Sequence, residues 1–243
     1  MPFSKKEAPN CDWCAFKKKC FYELLPDKSS KKAWRDMRIA NRFRSGETIF
    51  YEGEKASGAY IVCTGKVKIY KSSRTGQQLL TRIEDPGDLL GHISMLAGWP
   101  YAGSAEAMKE SVVSMIDGEE LEKFLNKHAK ASVTLLKEVA RDVRRGEAKA
   151  RDIAFKPARS RLAGTLVRML PPEALTPAKG KKKIKPVVSA IKRKELAEMA
   201  GLTIETTVRL LKDFETRGLL QRKGKDIVIT DLEKLRDLSG HFS

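Results

Sequence analysis

The chain has 243 residues, 41% of them hydrophobic, and sets 48 Lys and Arg against 31 Asp and Glu for a formal net charge of +17. The apolar content suffices for one or two cored domains, and no run of about 18 apolar residues exists to span a membrane. MPFSKKEAPN at the N-terminus lacks the apolar stretch of a secretory signal, so the reducing cytoplasm is the expected location. So large a basic excess points to a polyanionic partner, nucleic acid first. From Pro157 onward 19 Lys and Arg face 10 Asp and Glu, which places the charge-matched partner on the C-terminal part.

In chain order, the first feature is CDWCAFKKKC, which sets Cys11, Cys14 and Cys20 at C-x2-C-x5-C spacing within a segment taken as 1–29. In a reducing compartment clustered thiols read as metal ligands and not as disulfides. Loops this short bend soft thiolates toward one thiophilic centre, an iron–sulfur cluster or zinc. The second half of a zinc knuckle is missing, because His92, His128 and His241 are scattered and none adjoins the cysteines. A metal-free dithiol switch would use two thiols and leave the others without a role. Cys63 stands alone in an apolar run.

The next segment, 30–118, is expected to be all-β. From Phe43 to Asp117 the stretches ETIFYEGE, AYIVCTGKVKIY, QQLLTRIEDPGDLL and SVVSMI are punctuated by Gly46, Gly53, Gly65, Gly76, Gly87 and Gly91, the pattern of a small barrel or jelly roll. After Gly118 the period becomes helical, and one helix is expected over 119–156. Along it Leu136, Val139, Val143, Gly146, Ala150 and Ile153 recur at alternating spacings of 3 and 4. Flanked by charge, this narrow heptad seam suits a homodimer contact; the other reading packs the face on the β-module of the same chain. Gly146 and Ala150 leave the seam short of buried apolar area, so the dimer is marginal and switchable.

Pro157 ends the long helix and opens the last segment, 157–243. A helix follows through Leu162, Leu166 and Leu170 before PPEALTPAKGKKKIKP breaks the period. That basic stretch is either a solvated linker or brings Lys181, Lys182, Lys183 and Lys185 to phosphates. KRKELAEMAGLTIETTVRLLKDFETRG then gives a short helix, a tight turn at Gly201 and a second helix capped by Thr203, a helix-turn-helix. Leu196, Ala197, Ala200, Leu202 and Leu210 take its apolar positions, with Thr207 where a larger aliphatic is usual.

If Leu210, Leu211 and Phe214 point inward, Glu205, Val208, Arg209 and Lys212 share the opposite stripe. Those chemistries suit a major groove: arginine forks onto guanine, glutamate accepts from cytosine, valine touches a thymine methyl. Thr203 and Thr206 complete the candidate DNA contacts, and the plain alternative is a solvated Glu205–Arg209 pair. GLLQRKGKDIVIT reads as a hairpin whose Arg222, Lys223 and Lys225 reach phosphates. No Ser-His-Asp, Cys-His or metal-dyad constellation with a general base appears, so an enzyme is not expected.

A β-roll, a long dimer helix and a winged helix-turn-helix with GLTIETTVRLL resemble the CRP/FNR family of bacterial transcription regulators over nearly the whole chain. The resemblance implies an α+β fold: an N-terminal jelly roll of the cyclic-nucleotide-binding kind, a dimerisation helix and a C-terminal winged helix-turn-helix. It also implies a homodimer on a palindromic double-stranded DNA operator, RNA polymerase as a partner, and base contacts by Glu205 and Arg209, with Val208 at a variable reading position.

CDWCAFKKKC is similar to the cluster-binding loop of the FNR-type oxygen sensors in that family. This implies a 4Fe-4S cluster on Cys11, Cys14, Cys20 and one thiol of the roll, with oxygen, nitric oxide or redox state as the signal. The family's fourth cysteine falls near Ser114, a serine here. Cys63 is then either a displaced ligand on a strand beside that of Ser114, or an ordinary buried cysteine sharing parity with Ile61, Val67 and Ile69. Where the family's cyclic-nucleotide binders carry a glutamate and an arginine stand His92 and Tyr101. Without that cation a buried phosphate is costly, and His92 is expected as a surface or core histidine. The alternative is a roll that takes another small molecule or haem, with the cysteines holding structural zinc.

Overall fold

The computed structural model describes residues 3–74, 78–175, 186–189, 191–224 and 226–240, so Gly76, Lys181, Lys182, Lys183, Lys185, Lys225 and His241 lie outside the described residues. The chain divides into two compact units, Met1–Arg145 and Gly146–Ser243. The cysteine segment is therefore part of the first unit's core, and the boundary falls within the long helix.

The first unit begins with 3-10 turns at Lys5–Glu7 and Lys17–Lys19, α1 (Phe21–Leu24) and α2 (Lys28–Met37). Helix α2, absent from the sequence expectations, starts at a capping box: the Ser30 N–H donates to Asp27 Oδ1 at 2.8 Å, and the Asp27 N–H donates back to Ser30 Oγ at 3.4 Å. Strands β1 (Ile39–Phe43), β2 (Thr48–Phe50), β3 (Gly58–Thr64), β4 (Val67–Ser72), β5 (Gln78–Glu84) and β6 (Leu89–Leu90) follow, then α3 (His92–Ala97), β7 (Ser104–Ala107) and β8 (Ser111–Asp117). They form two antiparallel four-stranded sheets, ordered β1-β8-β3-β6 and β2-β7-β4-β5. The sheets share an interior of Phe43, Phe50, Tyr60, Val62, Val67, Tyr101 and Val113, among others, which makes the jelly roll. Strand β7 has the sequence SAEA, poor in strand formers; its fully buried Ala105 and Ala107 let it lie tightly between β2 and β4.

Strand β3 is covered on both faces. Tyr60 and Val62 point into the roll, while Ala59 and Ile61 point outward to a second core of Cys11, Phe21, Trp34, Phe124 and Leu135. The Trp34 ring lies 4.7 Å from that of Phe21 and 5.5 Å from that of Phe124, so one indole joins α1, α2 and the helical layer after the roll. That layer is two helices and not one: α4 (Gly118–Lys127) and α5 (Ala129–Phe155) are separated at His128, whose φ of −120° and ψ of 69° leave the helical region. Its ring packs 4.9 Å from that of Phe124. Helix α5 buries Ala131 and Leu135 inward, so the heptad seam is not the face that packs on the roll; Leu136 and Val143 are 66% and 53% exposed.

His92 is a core histidine, 2% exposed, with Nε2 3.5 Å from the carboxylate of Asp142 on α5. Arg82 bridges the same Asp142, at 2.6 Å, and Glu84, at 3.1 Å. Burial holds His92 down to about 4 against the pull of Asp142, and pushes Glu84 up to about 8 against that of Arg82.

In the second unit, α6 (Ala158–Arg168), α7 (Pro172–Leu175), α8 (Arg193–Ala200), α9 (Ile204–Thr216) and α10 (Leu232–Leu238) surround Leu162, Leu166, Leu196, Leu211, Phe214 and Leu235. The expected two-strand hairpin, β10 (Leu220–Lys223) and β11 (Asp226–Ile229), gains a third member. Strand β9 (Val187–Val188) pairs with β11 through Val188 opposite Ile227, giving the order β10-β11-β9.

Trp34→Ala should cost roughly 3–5 kcal/mol in urea unfolding of the whole chain; a loss below about 1 kcal/mol would mean that the indole does not join the two layers. Because unfolded histidine titrates near 6.5 and folded His92 near 4, the unfolded chain binds the extra proton as pH falls through that window. His92→Gln should therefore gain stability relative to the parent between pH 6.5 and 4, read as a growing difference in Tm; a difference independent of pH would remove His92 as the source.

Candidate metal centre and nucleic-acid interface

The cysteine loop is wound by short backbone bonds: Cys14 N–H to Cys11 O at 3.3 Å, Lys17 N–H to Cys14 O at 3.2 Å and Cys20 N–H to Lys17 O at 3.0 Å. The Asp12 carboxylate ties it down by accepting from the Tyr22 hydroxyl and the Arg35 guanidinium. The Tyr22 hydroxyl, then Arg35, hold Asp12 below the usual carboxylate range, while burial above all pushes Tyr22 up to about 12. Under the loop lies Gly87, with φ of +106°; a Cβ there would meet the Lys19 carbonyl at 2.8 Å and the Cys20 nitrogen at 3.0 Å. Only a residue without a side chain lets the Lys19–Cys20 peptide rest where it does.

All four cysteines line one pocket that is partly open to solvent, together with Arg38, Ile61 and Val62. Cys11 and Cys63 are buried, Cys14 and Cys20 half-buried. Burial raises the Cys11 thiol, opposed by Arg38, and pushes Cys20 up to about 11. Cys63 Sγ lies 3.1 Å from Ser114 Oγ, and Ile61 pairs with Ser114 across β3 and β8. The shared parity with Val67 and Ile69 does not hold in space. Those two point into the roll, whereas Cys63, like Ile61, faces the cysteine loop, because the chain turns at Gly65 before β4.

Arg38, one residue before β1, is 4% exposed and projects into this pocket. Its Nη1 lies 3.8 Å from Cys63 Sγ and 3.3 Å from Ser114 Oγ, its Nη2 donates to Pro9 O at 3.0 Å, and its Nε is buried without a partner. Among the described residues no carboxylate pairs with it. Nothing in the spacing of the sequence singles it out; the register that sets Ala40 opposite Ser114 does, once β1 is recognised. Among the described residues, no three His, Cys, Asp or Glu side chains converge closely enough for a single metal ion.

In the second unit the helix-turn-helix closes at Gly201 in the left-handed conformation, with the Leu202 N–H on Ala197 O at 2.9 Å. Helix α9 begins at Thr203, whose Oγ1 accepts from the Thr206 N–H at 3.2 Å and meets Thr206 Oγ1 at 3.1 Å. Thr207, at the aliphatic position, is fully buried with its hydroxyl on Thr203 O at 3.0 Å, so the departure is satisfied inside the turn. Leu210, Leu211 and Phe214 are buried while Glu205, Val208, Arg209 and Lys212 are exposed on one stripe. No Glu205–Arg209 ion pair forms among the described residues, although both side chains lie on that face. In the wing Arg222 is committed to Glu215, its Nε at 2.8 Å and its backbone N–H at 3.0 Å from that carboxylate, which ties β10 to α9. Lys223 remains exposed.

Of the seam positions, Leu136, Val143, Gly146, Ala150 and Ile153 are exposed and Val139 is half-buried; Val133 and Ala140, not counted in the seam, extend the same exposed strip. At the position where the resemblance puts the nucleotide binders' arginine, Tyr101 is buried in the roll. Tyr101 stacks on Phe50 at 4.2 Å between centroids and donates its hydroxyl to Gly58 O at 2.8 Å.

A family model described as a cyclic nucleotide-binding domain matches residues 40–128, and one described as a Crp-like helix-turn-helix domain matches residues 160–238. A CRP-like cAMP-activated global transcriptional regulator of Mycobacterium tuberculosis is 31% identical over 193 residues, 79% of this chain and 84% of that protein. The fumarate and nitrate reduction regulatory protein of Escherichia coli is 24% identical over 237 residues, 96% of this chain and 92% of that one. Among solved structures, FixK2 from Bradyrhizobium japonicum superposes with a TM-score of 0.72 at 26% identity, covering 85% of this chain and 99% of that one. No helix among the described residues is long and apolar enough to cross a membrane. With the roll, the long helix and the reading unit in this order and these relatives along most of its length, the chain belongs to the CRP/FNR family of DNA-binding transcription regulators.

Proposed function

We propose that this regulator is a homodimer that senses oxygen, nitric oxide or redox state through a 4Fe-4S cluster held by Cys11, Cys14, Cys20 and Cys63. The observation that carries the reading is the meeting in one pocket of four thiols and a buried guanidinium that no carboxylate pairs among the described residues. A buried cation requires a compensating anion, and protonated thiols do not supply one; four thiolates around an inorganic centre do. Zinc is the less favoured occupant because the second half of a zinc knuckle is missing from the sequence. When bound, such a cluster supplies a redox-labile anionic centre whose loss frees the loop.

The chain's own residues carry the rest. Asp12, Tyr22 and Arg35 hold the loop against α2, and Gly87 supports the Cys20 peptide. The exposed seam on α5 gives a dimer contact short of apolar bulk, which a shift of a few kcal/mol moves between populations. Glu205, Val208 and Arg209 read the operator, with Thr203, Thr206 and Lys212 at its backbone. A palindromic site and contact with RNA polymerase belong to the same reading. The ligand of the cAMP-activated relative is not carried over to this chain in our reading, because the resemblance puts the phosphate-binding cation at Tyr101, a buried tyrosine.

Protein purified without oxygen should contain iron and sulfide in similar amounts and a broad visible absorbance that air bleaches; a colourless preparation with stoichiometric zinc overturns the cluster. Cys63→Ser should lose the iron, and adding Ser114→Cys should restore part of it, because the two side chains adjoin at 3.1 Å. Gly87→Ala should lower iron retention with every thiol intact. Arg209→Ala should cost roughly 1–3 kcal/mol on the cognate operator and little on unrelated DNA; equal weakening on all sequences would assign it to phosphate alone.

A further inference from the structure

Pro157 has no N–H to return to the carbonyl of residue 153, so the Ile153 carbonyl near the end of α5 is left without its helical donor. Arg161, in the first turn of α6, supplies one: Nη1 donates to Ile153 O at 3.0 Å. Nη2 of the same guanidinium donates at 3.1 Å to the carbonyl of Gly201, the left-handed residue of the helix-turn-helix. The Ile153 side chain lies against that same glycine, since a Cβ on Gly201 would be 3.6 Å from Ile153 Cγ1. The last turn of α5, the start of α6 and the turn that leads into α9 thus meet at one planar fork. A second tie runs alongside, from Asp152 on α5 to Arg168 on α6 at 3.2 Å. All of these residues belong to the unit Gly146–Ser243.

We propose that Arg161 is a positioning residue for operator recognition, locking the reading helix to the end of the helix that carries the dimer seam. It acts through Gly201, whose conformation aims Thr203 and the N-terminus of α9, and it touches no base itself. Two carbonyls on one rigid fork fix angle as well as distance, which the flexible ammonium of a lysine does not reproduce. In a dimer this lock sets the separation and rotation of the two reading helices, and one base pair of spacing turns a half-site by about a tenth of a helical turn. A stiff pair accepts one spacing; a loosened pair accepts its neighbours.

The test uses full-length protein and duplexes selected by the wild type from a random library, then respaced by one base pair in either direction. The wild type should prefer its own spacing by at least about tenfold, and Arg161→Met should reduce the preference to about threefold or less. Arg161→Lys should fall between them. Affinity for an isolated half-site and the order of base preferences should stay unchanged, which a general loss of structure would not allow. A wild-type spacing profile in Arg161→Met, or parallel weakening on the half-site and every duplex, overturns the proposal. If that variant does not fold, Arg161→Gln, which keeps one donor group, is read by the same two outcomes. The inference rests on the dimer reading: a wild type with no spacing preference defeats that reading, whereas a preference that survives the substitution defeats this inference alone.

Discussion

The double burial of β3 is the constraint on which the first unit depends. One face of the strand closes the roll through Tyr60 and Val62, and the other carries the N-terminal helical layer through Ala59 and Ile61. Register on such a strand is strongly specified, because a slip by one residue would exchange the two faces. That fixed register turns Cys63 toward the cysteine loop, and the pairing with β8 puts Ser114 and, from the start of β1, Arg38 beside it. The loop has little structure of its own beyond short turns, so its thiols take their positions from a surface that the strand has already set.

Both units bury some charge, the second at Asp152, Glu195 and Glu198, and they differ in how the rest is placed. In the first, buried ionic groups sit in clusters: Arg82, Glu84, Asp142 and His92 on one side of the roll, and Arg38 among sulfurs on another. Their cost of desolvation is met only where partners are held in place. In the second unit the basic residues of the reading stripe are exposed, and acidic groups such as Glu215 and Asp213 are used to brace Arg222, Arg159 and Arg217. The net positive charge facing solvent suits phosphate, while the braces keep the wing and reading helix in register with each other.

Much of this was legible in the order of residues. Local rules suffice for the loop spacing of Cys11, Cys14 and Cys20, the glycine at 201, the cap at Thr203 and the stripe from Glu205 to Lys212, since each depends on neighbours within a turn or two. What escaped depends on partners far away in sequence. Strand β7 is Ser-Ala-Glu-Ala, poor in strand formers, and is placed by close packing between β2 and β4 and by the Lys68–Glu106 pair at 2.9 Å. The helix breaks at His128, whose ring packs on that of Phe124. Arg38 is one arginine among many until β1 is laid against β8, and α2 was signalled only by the Asp27–Ser30 cap in a lysine-rich stretch. Strand parity at Cys63 holds with Ile61 but not with Val67 and Ile69, because the count was carried through the turn at Gly65 into another sheet.

The adjacency of Cys63 and Ser114 has a bearing on how such proteins are recognised. Neighbouring antiparallel strands present side chains to a common patch, so a sulfur can move from one strand to the next, leaving a hydroxyl behind, and still face the same three loop cysteines. A comparison by aligned columns registers only that the cysteine is missing. Counting sulfurs around the pocket registers four.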